Sequence, residues 1–274
     1  MKDREENKMK SNYKNWVPKG MIYGLAAGTA ACAAAGAASE ILLKDQPKAV
    51  RTCARVVCGA GTLGCGAMLG WSLMAHNRFS YEGKRKLAKE IVEGTADYVT
   101  LPDGGVGLDV GCGSGALTIS CAKRNPNARM VGIDRWGPEY ASFSRQLCEQ
   151  NAEAEGVSNV RFEKGDACKL DFADETFDAV TSNYVYHNIS GHNKQELLRE
   201  TLRVLKKGGT FAIHDLMSKV RYGDMEQFAQ ELRNEGYEEV NLIRTDKGMF
   251  MSRGEAEIMM LGGSTILTGR KKSS

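Results

Sequence analysis

The sequence predicts an α/β protein with a doubly wound, mostly parallel sheet, preceded by two helices rich in alanine and glycine. Two observations carry this prediction. From about residue 79 onward, short aliphatic and β-branched runs alternate with helical stretches, the pattern of parallel strands joined by crossover helices. Residues 21–77 instead contain two long uncharged runs of mostly small residues. The chain is therefore divided into a polar segment at 1–20, a helical hairpin at 21–77 and a folded domain at 78–274.

The first two segments differ sharply in polarity. Residues 1–20 are polar and charged and are expected to form a mobile tail. Residues 21–39 and 56–75 carry no charge, and about 20 apolar residues are enough to cross a bilayer. A polar turn at 44–48 separates the two runs, so the sequence predicts a two-helix transmembrane hairpin. A helix pair packed on the folded domain or on another subunit stays open as the alternative.

Small residues in both runs recur at a spacing that allows close helix pairing. Gly24 and Gly28 form one G-x-x-x-G motif, and Gly66 and Gly70 form another, so association is expected within a chain or between chains. Basic residues outside the runs give a weak bias toward both ends facing the cytoplasm. The sequence thus places the protein in the cell membrane, with the folded domain on the cytoplasmic side.

Charge and cysteine content bear on whether the protein binds nucleic acid or a metal. The net charge of +3 is too small to indicate nucleic acid. The eight cysteines form no C-x-x-C pair and show no zinc spacing, so reduced thiols and no metal site are expected.

The elements of the folded domain follow in order. The last two strands are expected to form a hairpin, because no long helix separates them. The predicted strands cover residues 106–110, 130–134, 160–163, 177–182, 210–214, 239–243 and 264–268. The predicted helices cover residues 115–123, a stretch within 138–155, 194–205 and 224–234.

A glycine-rich loop follows the first strand, in the stretch LDVGCGSG at 108–115. Gly111, Gly113 and Gly115 allow a tight turn and let a ligand lie against bare backbone. Asp134 ends the second strand, where a carboxylate can accept hydrogen bonds from both hydroxyls of an adenosine ribose.

The identity of the adenosine cofactor depends on Asp109, which precedes the loop. The loop also satisfies the loose dinucleotide pattern, so a nicotinamide-dependent oxidoreductase is a low-ranked alternative. A pyrophosphate beside Asp109 is unfavourable, whereas a cofactor with a sulfonium and an ammonium suits a carboxylate. A local hydrogen bond to the loop is the structural interpretation of Asp109, and both can hold.

Five stretches in this order resemble the class I S-adenosylmethionine-dependent methyltransferases. They are LDVGCGSG (108–115), VGIDRW (131–136), EKGDA (163–167), FDAVTSNYVYHNI (177–189) and LRVLKKGGTFAIHD (202–215). The resemblance implies a Rossmann-like methyltransferase domain with a seven-stranded sheet whose last strand is antiparallel. The hairpin lies outside it.

The resemblance also implies residue roles. Asp109 and the glycine loop would line the methionine moiety of S-adenosyl-L-methionine, and Asp134 would bind its ribose. Asp166 and the Ala167 backbone would contact the adenine, with Arg135 beside it. The implied cofactor-binding residues are Asp109, Gly111, Cys112, Gly113, Gly115, Asp134, Arg135, Asp166, Ala167 and Asn183.

The segment after the fourth strand holds the catalytic candidates, His187 and Tyr184. A general base helps methyl transfer only if the acceptor must lose a proton, and His187 is either that base or a structural histidine capping the loop. Tyr184 faces the reactive end of the cofactor in the resemblance. Tyr184 and Tyr186 would both shape the pocket if the segment continues as a strand, whereas a turn would separate them.

The local sequence is similar to the branch of the family that acts on small molecules, including quinones, sterols and other lipid-like acceptors. The expected function is therefore methyl transfer to a small or lipid-like acceptor at the membrane surface. The alternative from another class is a non-catalytic cofactor-binding or membrane assembly module.

Overall fold

The computed structural model describes residues 10–137 and 142–273. They divide into a hairpin unit, residues 15–89, and a sheet unit, which joins the described residues before position 15 to the chain from Glu90 onward. The sheet unit thus begins later than the expected position 78, because the second long helix continues to Phe79 and the residues after it group with the hairpin.

The hairpin unit pairs α1 (Lys19–Leu42) with α2 (Lys48–Phe79). Small residues form the seam, so the backbones approach closely. A Cβ atom at Gly61 would lie 2.8 Å from Cys32 Sγ, and one at Gly36 would lie 3.3 Å from the Cys58 side chain. Of the predicted glycine pairs, Gly28 and Gly66 contact the opposite helix, whereas a Cβ at Gly24 or Gly70 would meet no atom of the described residues within 4 Å.

The outer surface of the helix pair is apolar. Both helices are long and apolar enough, by length and composition, to cross a membrane. Near the turn, Arg55 forms a two-point ion pair with Glu40, with nitrogen–oxygen distances of 2.5 and 2.6 Å. Large exposed hydrophobic side chains on this unit are Met21, Tyr23, Ile41, Leu42, Val50, Val56, Val57, Leu63, Met68 and Leu73.

In the described part of the sheet unit, seven strands form one sheet. The strands are β1 (Val106–Val110), β2 (Arg129–Asp134), β3 (Val160–Lys164), β4 (Phe177–Asn183), β5 (Leu205–Leu216), β6 (Tyr237–Arg244) and β7 (Ser264–Lys271). Their order in the sheet is β3-β2-β1-β4-β5-β7-β6. The strands β1 to β5 are parallel, and β7 pairs antiparallel with both β5 and β6. This confirms the predicted fold class, and a short helix interrupts the connection expected as a simple hairpin.

Helices cover both faces of the sheet, as a doubly wound fold requires. The helices are α3 (Leu87–Ala96), α4 (Ala116–Arg124), α5 (Arg145–Ala154), α6 (Lys194–Arg203), α7 (Lys219–Tyr222), α8 (Met225–Asn234) and α9 (Arg253–Ile258). Leu108 and Val110 of β1 pack on one face of the sheet with α6 and α8, while Ala179 and Ala212 pack on the other face with α3 and α4. Positions 138–141 of the stretch predicted to hold α5 lie outside the described residues.

The strand order reverses between β1 and β4, which lie side by side. Ligands of open α/β sheets bind beyond the carboxyl ends of the strands at such a point. The glycine loop after β1 and the segment after β4 therefore border the same crevice.

Candidate active site

The glycine loop links β1 to α4 in a conformation that favours glycine. Gly111, Gly113 and Gly115 have φ angles of +76°, +54° and +82°, the left-handed region that side chains disfavour. A Cβ at Gly111 would overlap the Val185 side chain. The turn after β4 therefore packs directly on the loop after β1, as the topology predicts.

The backbone N–H groups of this loop are largely used inside the protein. Gly111 and Cys112 donate to the Ile133 carbonyl at 2.8 and 2.9 Å, and Gly115 donates to the Cys112 carbonyl at 2.8 Å. Gly113 donates to Asp134 Oδ2 at 2.9 Å. A pyrophosphate needs such N–H groups for itself, so the loop offers little of a phosphate cradle.

Asp134 lies at the end of β2, where the sequence places it. Besides Gly113, its carboxylate accepts the Trp136 N–H at 2.8 Å, and the Trp136 indole N–H donates back to the Gly113 carbonyl at 2.9 Å. Trp136 was not singled out from the sequence, although a large aromatic residue two positions after the acidic strand end is a usable signal. A half-buried carboxylate is thus fixed against the glycine loop.

Asp109 is buried, with 1% of its surface exposed. Its Oδ2 accepts a 2.6 Å hydrogen bond from Thr118 on α4, not from the loop N–H groups that the sequence suggested. Burial raises the pKa of Asp109 to about 7, and nearby Asp134 adds to this while Thr118 opposes it. Asp109 is therefore a carboxyl group whose charge is poised near neutral pH, and a cation beside it would favour ionisation.

The expected adenine-side residues lie near Asp134. Gly165 donates to the Asp134 carbonyl at 3.0 Å, which ties the loop after β3 to the end of β2. Asp166 is exposed and accepts the Cys168 N–H at 2.8 Å, and Ala167 is half-buried. Arg135 is exposed next to Asp134. Contact of these residues with a cofactor stays a prediction.

Cys112 differs from the other loop residues. Its side chain is 7% exposed and belongs to an apolar cluster with Cys148 and Phe162. The Cys112 side chain therefore stabilises the loop by packing in the protein interior. A role in binding could come only from the peptide backbone.

Residues 12 and 13, which precede α1, contact the glycine loop and α5. The Asn12 N–H donates to Asn151 Oδ1 at 2.6 Å, and Ser114 of the glycine loop donates to the Tyr13 carbonyl at 2.9 Å. Asn151 also donates to the Ser114 carbonyl at 2.9 Å. These residues were expected in a mobile tail. They are fixed because the side chains of Ser114 in the glycine loop and Asn151 on α5 satisfy their backbone groups.

Beyond β4, Asn183 and Tyr184 lie beside buried His214. His214 Nδ1 lies 2.8 Å from Asn183 Oδ1, and its Nε2 lies 2.8 Å from the Thr245 hydroxyl. Burial lowers the pKa of His214 to about 3, so the ring is neutral and both nitrogens are occupied. His214 is a structural residue that orients Asn183.

Tyr184 adopts a φ angle of +55°, an uncommon conformation that clusters at functional sites. Its hydroxyl lies 2.6 Å from Ser264 Oγ, and burial raises its pKa above the ordinary value. The hydroxyl therefore stays protonated at neutral pH, and a catalytic role for Tyr184 stays a prediction.

Tyr186 does not line the crevice. Its side chain is fully buried and its hydroxyl lies 2.5 Å from Thr201 on α6. The chain leaves β4 at Asn183 and forms a 3-10 turn at Tyr186–Asn188, so the alternation of a strand ends there. Of the two alternatives that the sequence leaves open, the structure shows the turn, so Tyr184 and Tyr186 are separated.

His187 lies in that turn and pairs with Asp215 at the end of β5. Its Nδ1 is 2.6 Å from Asp215 Oδ1, and its backbone N–H donates to Oδ2 at 3.2 Å. The His187 side chain is 15% exposed and that of Asp215 is fully buried. Asp215 was not identified from the sequence, although a carboxylate at the carboxyl end of a central strand is a recognisable signal.

Residues 102–257, which make up more than half of the chain, match the model of a family described as a methyltransferase domain. The chain belongs to the class I S-adenosylmethionine-dependent methyltransferases. The predicted family and cofactor are thereby confirmed, and the nicotinamide alternative loses its support. Among the described residues, no group of histidine, cysteine and acidic side chains could hold a metal ion.

Curated relatives are about one-third identical to this methyltransferase over the aligned residues. It is 33% identical over 135 residues to the 2-phytyl-1,4-naphtoquinone methyltransferase of Thermosynechococcus vestitus, covering 49% of this chain and 56% of that protein. It is 37% identical over 106 residues to the demethylmenaquinone methyltransferase of Thermus thermophilus, covering 39% and 44%. The chain spans about half the length of the curated relatives it matches.

Solved structures share the fold of the methyltransferase domain. The [4+2]-cyclase SpnF superposes with a TM-score of 0.53 at 22% identity, covering 69% of this chain and 84% of that one. A geranyl diphosphate methyltransferase superposes with a TM-score of 0.52 at 12% identity, covering 69% and 81%. Because a cyclase and a methyltransferase share this fold, the fold alone does not assign a reaction.

Proposed function

We propose that this protein transfers a methyl group from S-adenosylmethionine to a small, lipid-like acceptor of the quinol type at a membrane surface. The observation that carries the cofactor assignment is that the N–H groups of the glycine loop are hydrogen-bonded within the protein. Asp134 occupies the Gly113 N–H at 2.9 Å, where a dinucleotide phosphate would bind, and Asp109 adds a second acidic group. This edge suits a ribose and a cationic methionine moiety.

The acceptor class rests on the relatives and on the crevice. Both curated relatives named above carry a naphthoquinone or menaquinone substrate in their names. At the carboxyl edge of this sheet, half-buried His187 lies beside Tyr184, whose ring is 6.0 Å away edge-on. An aromatic ring and an imidazole fit a flat acceptor with an ionisable hydroxyl.

The membrane part of the proposal rests on the hairpin unit. Large apolar side chains are exposed on the outer surface of α1 and α2, and large contiguous apolar surfaces mark membrane or protein contacts. The Glu40–Arg55 ion pair lies near the turn, at the end of the uncharged stretches where a bilayer interface would be. We place the sheet unit on the cytoplasmic side, where S-adenosylmethionine is available. Chains can further associate through Gly24 and Gly70, which the seam leaves open.

Two measurements test this proposal. The purified full chain in detergent is incubated with S-adenosylmethionine labelled in the methyl group and with reduced 2-phytyl-1,4-naphthoquinone or an extracted lipid fraction. Label in the organic phase, lost in Asp134→Ala, supports it. Binding of the cofactor without transfer to either acceptor would favour the non-catalytic module. Extraction of cell membranes with alkaline carbonate tests the hairpin, and release of the chain into the supernatant contradicts a membrane-spanning pair.

A further inference from the structure

Asp215 holds His187 at two points. Oδ1 meets the ring Nδ1 at 2.6 Å and Oδ2 accepts the backbone N–H at 3.2 Å. Oδ1 also accepts the Leu216 N–H at 2.6 Å. Two contacts to one residue fix both the position of the turn and the plane of the ring. His187 therefore has little freedom to rotate its ring.

The hydrogen-bond donors around Asp215 determine the charge state of the His187–Asp215 pair. Burial by itself raises the pKa of Asp215, but the hydrogen bonds from His187 and Leu216 outweigh it and hold the pKa below its usual value. An ionised carboxylate only accepts hydrogen bonds. The proton between the two residues is therefore carried by His187 Nδ1, and in the neutral ring the lone pair lies on Nε2.

The two histidines at this edge differ in a way that matters for chemistry. His214 is fully buried, with both nitrogens bonded to neutral partners. His187 has one nitrogen bonded to a carboxylate and a ring that is 15% exposed. Its turn packs on Gly111 of the cofactor loop through Val185. Of these two histidines, His187 alone combines a ring nitrogen bonded to a carboxylate with a partly exposed ring.

We propose that Asp215 is a positioning residue that keeps the His187 Nε2 lone pair directed at the methyl acceptor, and that the acceptor is one whose nucleophilic atom must lose a proton. This inference rests on the proposed function. In the step, the acceptor O–H bond breaks and its proton goes to Nε2. The electron pair left on the acceptor forms the new bond to the methyl carbon, and the methyl–sulfur bond breaks. Neutral S-adenosylhomocysteine leaves, and the imidazolium, stabilised by Asp215, returns its proton to water.

The first test needs no acceptor. The chain contains four histidines, so full-length protein with 15N-labelled histidine in detergent gives a resolvable set of ring signals, and His187→Gln identifies one of them. With S-adenosylhomocysteine bound, we expect a single Nδ1–H tautomer for His187. In Asp215→Asn this signature should disappear, because the amide can also donate. A mixture of tautomers in the wild type, or an unchanged tautomer in Asp215→Asn, overturns the proposal.

The second test separates positioning from folding. With reduced 2-phytyl-1,4-naphthoquinone, we expect kcat to fall by about 100-fold or more in Asp215→Asn and in His187→Gln, the range for loss of a general base. The KM and the affinity for S-adenosylhomocysteine should stay within about three-fold, and Asp215→Glu should recover part of kcat. His192→Gln is the matched control, since His192 is exposed in the following loop.

The outcomes are distinguishable from failure of the proposed function. Loss of S-adenosylhomocysteine binding in the wild type would refute the cofactor assignment, whatever the tautomer. Normal binding and the expected tautomer with equal kcat in wild type and Asp215→Asn would refute the positioning role alone. If no label reaches the quinol, the tautomer result still decides whether Asp215 fixes the ring.

Discussion

Replacing Asp109 by asparagine should stabilise the sheet unit at alkaline pH while weakening cofactor binding. The carboxyl group is buried and burial raises its pKa from 3.8 to about 7. Folding therefore raises the affinity of this group for its proton. The resulting stabilisation is fully present below pH 4 and is lost as the pH rises through 7.

The size of the effect follows from the shift. Between pH 5 and pH 8, a single acid with these two pKa values changes the free energy of unfolding by about 3 kcal/mol. Asparagine keeps the size of the side chain and can still accept the Thr118 hydroxyl, but it does not titrate. The stability of Asp109→Asn relative to the wild type should thus rise by about 3 kcal/mol from pH 5 to pH 8.

Tryptophan fluorescence can report this change. The sheet unit contains a single tryptophan, Trp136, whose indole is bonded to the glycine loop. In a background with Trp16→Phe and Trp71→Phe, urea unfolding at each pH follows this unit. Asp103→Asn, at an exposed carboxylate, is the matched control and should show no such pH dependence. An equal stability difference at both pH values would refute the reasoning about Asp109.

Three further predictions concern the packing. Gly111→Ala and its control Gly104→Ala both place alanine at a positive φ, which costs about 1–2 kcal/mol in each. Of the two, only the new methyl group at Gly111 overlaps a neighbouring side chain, so S-adenosylhomocysteine titration should show lost binding for Gly111→Ala alone. Gly61→Leu should lower the melting temperature of the hairpin, measured by circular dichroism in detergent, since a Cβ at this position would lie 2.8 Å from Cys32 Sγ. Gly64→Leu should not, because a Cβ there meets no atom of the described residues within 4 Å. Tyr186→Phe should cost about 1 kcal/mol of stability through its lost hydrogen bond and leave kcat unchanged, and a large kcat loss would return Tyr186 to the active site.

The parallel part of the fold could be predicted because each strand carries its own signal. The strand at 106–110 was predicted at its observed bounds, and β2 and β4 differ by one residue at one end. Since parallel strands end at one edge, the meeting of Asp134 with the glycine loop also followed from sequence. β5 begins at Leu205, earlier than predicted, because the Lys-Lys-Gly-Gly stretch before residue 210 gives no strand signal.

The parts that could not be predicted depend on contacts between distant residues. His187 meets Asp215 only because β4 and β5 pair in a register that brings Asn183 opposite His214. Residues 12 and 13 are fixed by Asn151 and Ser114, more than a hundred positions along the chain. In the hairpin seam, Cys32 and Cys58 likewise lie opposite Gly61 and Gly36. The G-x-x-x-G pattern does not include these positions.

The central claim is that the crevice beyond β1 and β2 binds S-adenosylmethionine and not a dinucleotide. The most direct measurement is calorimetric titration of the full chain in detergent, since residues 12 and 13 contribute to the glycine-loop surroundings. S-adenosylhomocysteine and NAD are titrated in parallel against the wild type and Asp134→Ala. We predict a dissociation constant of about micromolar order for S-adenosylhomocysteine, at least ten-fold weaker binding in Asp134→Ala, and no heat with NAD. Binding of NAD alone, or S-adenosylhomocysteine binding that Asp134→Ala leaves intact, would contradict the account.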